Sequence, residues 1–137
     1  MQYNFHAYGH PNILATHRTT LEFTKDDEVS LKGDCIVGVK ADFDTDEIKK
    51  FIKMLQNKRI TIMIEASDKK ILEKIDAELN PDFNSDKEFV IRKTDFVSER
   101  TFAINSNKAA FELKRGLISC LKDKKNKISV VIENKHK

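Results

Sequence analysis

Lys25-Asp26-Asp27-Glu28-Val29-Ser30 and Lys93-Thr94-Asp95-Phe96-Val97-Ser98 spell one pattern, K-x-D-x-V-S, 68 residues apart. The same offset carries Ile60-Thr61-Ile62-Met63-Ile64-Glu65 onto Ile128-Ser129-Val130-Val131-Ile132-Glu133. Two segments in one register define an internal repeat. A repeat constrains architecture more than any single residue, because each half has an apolar face that the other half must cover.

The local patterns fill in the repeat. Tyr3, Phe5 and Ala7 alternate with polar neighbours, as do Ile13, Ala15, His17, Thr19, Leu21 and Phe23, so both segments read as strands. A chain reversal at His10-Pro11-Asn12 puts the two apolar sets on one face, with His17 pointing inward and His10 at the loop tip. Cys35 to Ala41 reads as a short strand introduced by Gly33-Asp34. Asp44 followed by Glu47 is a capping-box start to a helix with Ile48, Phe51, Ile52 and Leu55 on one face. Arg59 to Ala66 is the next strand. Ser67 then caps a predicted second helix with the stripe Ile71, Leu72, Ile75 and Leu79, stopped by Asn80-Pro81. In the second half the corresponding helix buries Ala110, Leu113, Leu117 and Leu121.

The expected fold is therefore α+β and β-rich, a single domain over residues 1–137. Two strand–strand–helix–strand repeats, at about 17–66 and 85–134, pack as a barrel or a two-sheet, jelly-roll-like sandwich with about three helices and an extra N-terminal strand. They are expected to superpose about a pseudo-twofold axis. The topology is similar to that of double-psi and related cradle-loop barrels, and Gly33-Asp34 resembles their glycine–aspartate box.

Composition narrows the function classes. The chain is 39% hydrophobic and 34% charged, which is the balance of a soluble globular protein. No apolar run approaches the roughly 18 residues of a membrane helix, and no signal-peptide pattern opens the chain, so a cytoplasmic protein without membrane contact is expected. Cys35 and Cys120 lack the spacing of a zinc knuckle and are expected to stay reduced. The net charge of +3 comes without a basic stripe, which argues against nucleic acid as the partner. The densest run, Lys122 to Lys127, reads as a solvated loop.

Ala7-Tyr8-Gly9-His10-Pro11-Asn12-Ile13-Leu14-Ala15-Thr16-His17-Arg18-Thr19-Thr20, with Gly33 to Val39 and Arg92 to Thr101, resembles the archaeal domain-of-unknown-function family 371 over nearly the whole chain. The resemblance implies an archaeal cytoplasmic protein and a β-rich fold classed with jelly-roll-like structures. It implies no activity and no catalytic assignment, so the residues are weighed on their chemistry.

His17 is the candidate general base, and its competing role is a core histidine bonded to Thr19 or a backbone carbonyl. His10 and His17 are spaced badly for one shared metal, and no metal ligands are assigned. Cys35 is the candidate nucleophile if a base lies near it, and otherwise a small buried hydrophobe. Ligand contacts are expected from His10, Asn12, Thr19, Thr20, Asp34, Asp95, Ser98 and Arg100. The two K-x-D-x-V-S loops face each other across the repeat axis, where Asp95 and Ser98 have local turn roles as their alternative. Beyond Ser98 the halves diverge into Glu99-Arg100-Thr101 against Leu31-Lys32-Gly33-Asp34, and Arg100 with Ser98 and Thr101 suits a phosphate or carboxylate. The expected function is a small-anion or metal-assisted site, enzymatic or binding, where His17, Asp34 and Arg100 converge with Asn12 or Thr19. The alternative is a non-enzymatic binding or assembly module, RNA-associated in one form, whose distinctive residues only shape the fold.

Overall fold

The computed structural model describes residues 1–66 and 71–134. Eight strands alternate with short connections: β1 (Gln2–Tyr8), β2 (Thr20–Thr24), β3 (Ile36–Gly38), β4 (Arg59–Ala66), β5 (Ile71–Leu79), β6 (Glu88–Arg92), β7 (Thr101–Ile104) and β8 (Lys127–Asn134). Helix α1 (Thr45–Lys53) joins β3 to β4, and a 3-10 turn at Ala110–Glu112 with helix α2 (Arg115–Cys120) joins β7 to β8. All the strands belong to one mixed sheet in the order β1-β8-β4-β5-β7-β6-β2-β3. The β-rich class holds.

Period-two alternation explains the central strands. Ile60, Ile62 and Ile64 on β4 and Ile128, Val130 and Ile132 on β8 are fully buried. Phe5 and Ala7 on β1 join them, and so do Leu21 and Phe23 on β2. Helix α1 begins where expected, with the Asp44 carboxylate accepting the Glu47 N–H at 3.0 Å. Tyr3 Oη takes the Asp44 N–H at 2.9 Å, the bond a full capping box would give to Glu47. Asp44→Ala is expected to cost about 1 kcal/mol in chemical denaturation, the usual worth of an N-cap.

Three expectations need correction. The predicted helix over residues 67–79 is strand β5 from Ile71 onward, and Ser67 lies outside the described residues. Ile71, Ile75 and Leu79 recur every fourth position, which fits a strand face as well as a helix stripe. What decides is the edge of β4, which β5 pairs along its length from Arg59↔Glu78 to Ala66↔Ile71. The strand register leaves Leu72 exposed and turns Glu73 inward. There Glu73 receives Lys108 Nζ and the Lys114 N–H, each at 2.6 Å.

The long strand expected from Ile13 to Phe23 is regular only from Thr20. Ala15 has φ +51°, and the Thr16 and His17 amides both donate to Asp34 O, so the segment bends before it can pair. β1 lies against β8 instead of folding back on residues 13–23. His17, expected to be largely buried, is consequently half-buried, while His10 lies in a loop as expected and is buried there.

The barrel expectation is corrected as well. β1 and β3, at the ends of the strand order, share no ladder and meet only at one bridge, where Tyr8 and Val39 exchange N–H···O bonds of 2.8 Å. Among the described residues one sheet carries all the strands, and two α-helices with a 3-10 turn stand where about three helices were expected.

Matching hydrogen bonds recur through the chain. β2 pairs antiparallel with β6 so that Glu22 faces Val90, and β4 pairs with β8 so that Met63 faces Val131, each pair 68 residues apart. Lys40 N–H donates to Asp26 O and Asn105 N–H to Thr94 O, with φ of 52° and 51° at the two donors. Glu22 N–H donates to Cys35 O and Val90 N–H to Arg100 O. Asp42 N–H donates to His6 O, as Asn107 N–H does to Asp76 O.

Candidate functional site

β2 lies between β6 and β3, and all five of its residues are buried. Leu21 and Phe23 face the aromatic core. Thr20, Glu22 and Thr24 face the other way, and their antiparallel partners on β6 are Arg92, Val90 and Glu88. Cys35, just ahead of β3, which runs parallel to β2, and Arg100, just ahead of β7, which runs parallel to β6, reach onto the same face. The β3 end of the sheet therefore carries two carboxyls, two guanidinium groups and a thiol on one side.

Glu22 is the group under most strain, with only 4% of its surface exposed. The Cys35 thiol donates to Glu22 Oε1 at 3.6 Å, and Glu88 on β6 accepts from the Glu22 carboxyl when that is protonated. Burial disfavours its ionised form, and the Glu88 carboxylate adds to this, so the Glu22 pKa is pushed up to about 7. Glu88 takes the opposite course. Its own partial burial works against ionisation, yet the bond from Arg100 Nη1 at 2.7 Å and that from Glu22 prevail and lower its pKa. The two carboxyls therefore titrate as a pair, with the proton favoured on Glu22 over Glu88.

Cys35 is pushed up to about 12, by burial first and then by the Glu22 carboxylate. A thiol in that state is a proton donor to Glu22, because burial and the Glu22 carboxylate outweigh the Arg92 and Arg100 guanidinium groups near it. Arg92 Nε donates to Thr101 Oγ1 at 2.9 Å, and its guanidinium lies over the Phe96 ring at 4.9 Å. Arg92 has no carboxylate partner among the described residues. Burial and the nearby Arg100 both lower its pKa. Ser98 completes the turn, its hydroxyl 3.2 Å from that of Thr101. Arg100, Ser98, Glu88 and Glu99 line a groove of about 300 Å³.

The other expected residues fall into two groups. His17 Nδ1 accepts the Thr19 and Thr20 N–H groups, both at 3.2 Å, so its ring proton sits on Nε2 and Nδ1 serves the turn. Thr20 is beside Arg92 in the ladder, whereas Thr19 is exposed, and Asp34 meets His17 through its backbone carbonyl. Asp95 is exposed, and its carboxylate makes no hydrogen bond among the described residues.

His10 and Asn12 lie elsewhere. His10 Nδ1 accepts the Asn12 N–H at 3.0 Å, Nε2 meets Glu28 at 3.0 Å, and Asn12 Nδ2 donates to Val29 O at 2.9 Å. The turn Asn80-Pro81-Asp82 is built alike, with Asn80 Oδ1 accepting the Asp82 N–H at 3.1 Å and Asn80 Nδ2 donating to Thr101 O at 2.8 Å. His10 thus does for the first K-x-D-x-V-S loop what Asn80 does beside the second. Gly9 permits this, since a Cβ there would collide with the carbonyls of Leu121 and Asp123. His10, Asp27, Glu28, Lys40 and Lys124 border a separate cleft of about 270 Å³.

No three His, Cys, Asp or Glu side chains among the described residues are placed to hold a metal ion. Sequence reasoning missed Glu22, Glu88 and Arg92. The available signal was Glu22 between Leu21 and Phe23, a carboxylate where a buried strand calls for an apolar or small residue.

These features sit on a chain that belongs to a family described as domain of unknown function DUF371, whose profile matches residues 5–135. It is 38% identical to the uncharacterized protein MJ0206 of Methanocaldococcus jannaschii, with 96% of this chain and 99% of that protein covered. No helix among the described residues is long and apolar enough to cross a membrane.

Proposed function

We propose that the chain binds a small oxyanion on the β2–β6 face, with Arg100 and Arg92 as its charged contacts and Glu22 as the group that adjusts the proton balance. The observation that carries this reading is the pairing pattern. Glu22 is set against Glu88, Arg100 is satisfied through one nitrogen by Glu88, and Arg92 spends only Nε on a neutral hydroxyl. Guanidinium nitrogens beside the Ser98 and Thr101 hydroxyls suit a phosphate or carboxylate. The metal-assisted form of the idea has no ligand set among the described residues to support it. A proton-exchanging carboxyl beside a held oxyanion also provides the elements of general acid–base chemistry, with Glu22 in the acid–base role. His17 and Asp34 hold the entry to β2 through Nδ1 and a backbone carbonyl, as positioning residues.

We further infer that the recurring hydrogen bonds mark a duplication, with β1 to β4 and β5 to β8 as the two halves about a pseudo-twofold axis through the β2–β6 and β4–β8 pairs. Glu22 faces Val90 near that axis, and Arg100 corresponds to Cys35, so the site is asymmetric where the halves differ. Cytoplasmic residence fits the two free thiols, Cys35 and Cys120.

Thermal denaturation with phosphate, sulfate and di- and tricarboxylates tests the anion site. A ligand at a hundred times its dissociation constant stabilises the native state by about 2.7 kcal/mol, a shift of several degrees. Arg100→Ala is expected to remove the shift while the variant still melts cooperatively. If no anion moves the melting point, or the variant responds as the parent does, the reading fails. A competing assembly role is favoured by Leu31, Phe96 and Val97, which are 60%, 59% and 47% exposed. Concentration-dependent mass in sedimentation, lost in Leu31→Asp, would point there.

A further inference from the structure

The second half differs from the first in one consistent direction. Glu28 of the first K-x-D-x-V-S loop corresponds to Phe96 of the second, and Thr24 to Arg92, each 68 residues on. Cys35 corresponds to Arg100 by their matching backbone bonds from Glu22 and Val90. Position 28 is a carboxylate engaged with His10. Its counterpart is a phenyl ring with the Arg92 guanidinium over it, and Arg100 has been added near Arg92. Apolar rings at a protein surface are normally covered, yet Phe96 is 59% exposed, with Arg92 over the ring at 4.9 Å. An exposed ring next to cationic groups matches a ligand that joins a flat aromatic system to an oxyanion.

We propose that the ligand of the anion site is a nucleoside phosphate, its phosphoryl group held by Arg92, Arg100 and the Ser98 hydroxyl and its base stacked on Phe96. This names the ligand class for the site proposed above and rests on that reading. Arg92 occupies one face of the ring and the base takes the other. Glu99, which lines the groove with Arg100 and Ser98, accepts a ribose hydroxyl. The phosphoryl group satisfies guanidinium nitrogens that protein groups leave open. A free nucleotide and a single-stranded nucleic acid offer the same two elements, a phosphoryl group and an unstacked base, and the first K-x-D-x-V-S loop offers neither contact.

The test is isothermal titration of the full chain at pH 7 with inorganic phosphate, adenosine 5′-monophosphate, adenosine, and a hexameric single-stranded oligoribonucleotide. The monophosphate is expected to bind about tenfold or more tightly than phosphate, the gain a stacked base gives. Phe96→Ala should bring the monophosphate down to the level of phosphate and leave phosphate itself unchanged, and Phe96→Tyr should restore the gain. Arg92→Gln and Arg100→Gln should weaken both ligands, with melting curves confirming the fold. If the oligoribonucleotide binds more tightly than the monophosphate, the source is a nucleic-acid strand, and equal or weaker binding assigns a free nucleotide; the recognised chemistry is the same in both cases. Phosphate and the monophosphate binding equally, with no response to Phe96→Ala, would overturn the nucleotide assignment and leave the anion site standing. Binding of neither would bring down both.

Discussion

Phe89→Ala is expected to lower the unfolding free energy by about 3–5 kcal/mol, the range for removing a fully buried phenyl group. Phe89 has no exposed surface and sits among the rings of five other phenylalanines, with centroids at 5.0 Å (Phe5), 6.1 Å (Phe23), 5.7 Å (Phe43), 5.7 Å (Phe83) and 4.2 Å (Phe102). Phe102 stacks on it at 20°, and the remaining contacts are tilted or edge-on. Three of those neighbours stand on β1, β2 and β7, whose backbones are fixed by ladders, so they cannot move in to fill the space. Domains of this size have about 5–15 kcal/mol in total, which leaves the variant close to its unfolding threshold. Urea denaturation followed by circular dichroism measures the loss. Phe96→Ala is the control, since that ring is mostly exposed and its removal is expected to cost less than about 0.5 kcal/mol. A loss below about 1 kcal/mol for Phe89→Ala would mean that the aromatic cluster is not the centre of the core.

The aromatic core was legible in part because period-two alternation marks it on β1 and β2, and the two isoleucine-rich strands were legible through their shared register. Residues 71–79 were not, since Ile71, Ile75 and Leu79 satisfy both periods and the open edge of β4 is a long-range fact. Ala15 gave no local warning of its positive φ, because alanine carries none of the signals of asparagine or glycine. The same bend moved His17 out of the core and left its Nδ1 to the turn amides. On the candidate site, the divergence after Ser98 pointed to Arg100 from sequence alone. Its partners were hidden. Glu88 and Arg92 come from a strand whose facing pair, Thr24 and Thr20, is set by antiparallel register across a large sequence separation. Glu22 announces itself only once β2 is known to be covered on both faces, when a carboxylate between Leu21 and Phe23 becomes a buried charge that needs a proton or a partner.

That proton has a measurable consequence. Glu22→Gln is expected to stabilise the protein by about 3 kcal/mol at pH 8 and by little at pH 4.5. The gap between an ordinary glutamate near 4.5 and about 7 in the folded chain converts at about 1.4 kcal/mol per pH unit. The sign follows from which state holds the proton more tightly. Folding raises the affinity of Glu22 for its proton, so the stabilising contribution is complete below about pH 4.5, where both states are protonated. It is lost as pH rises through about 7 and the buried carboxyl ionises against Glu88. Glutamine keeps the shape and stays neutral. Its carbonyl accepts from the Cys35 thiol, and its amide donates to Glu88, as the protonated acid does. The variant therefore follows the low-pH branch of the parent throughout, and the two stability curves separate between pH 5 and pH 8. Urea denaturation of both proteins at pH 5, 6, 7 and 8 gives the curves directly. Parallel curves, or a variant less stable at pH 8, would show that Glu22 is already ionised and paired in the folded chain. Arg92 or Arg100 would then be spent on it, and the oxyanion site would lose the open guanidinium on which it depends.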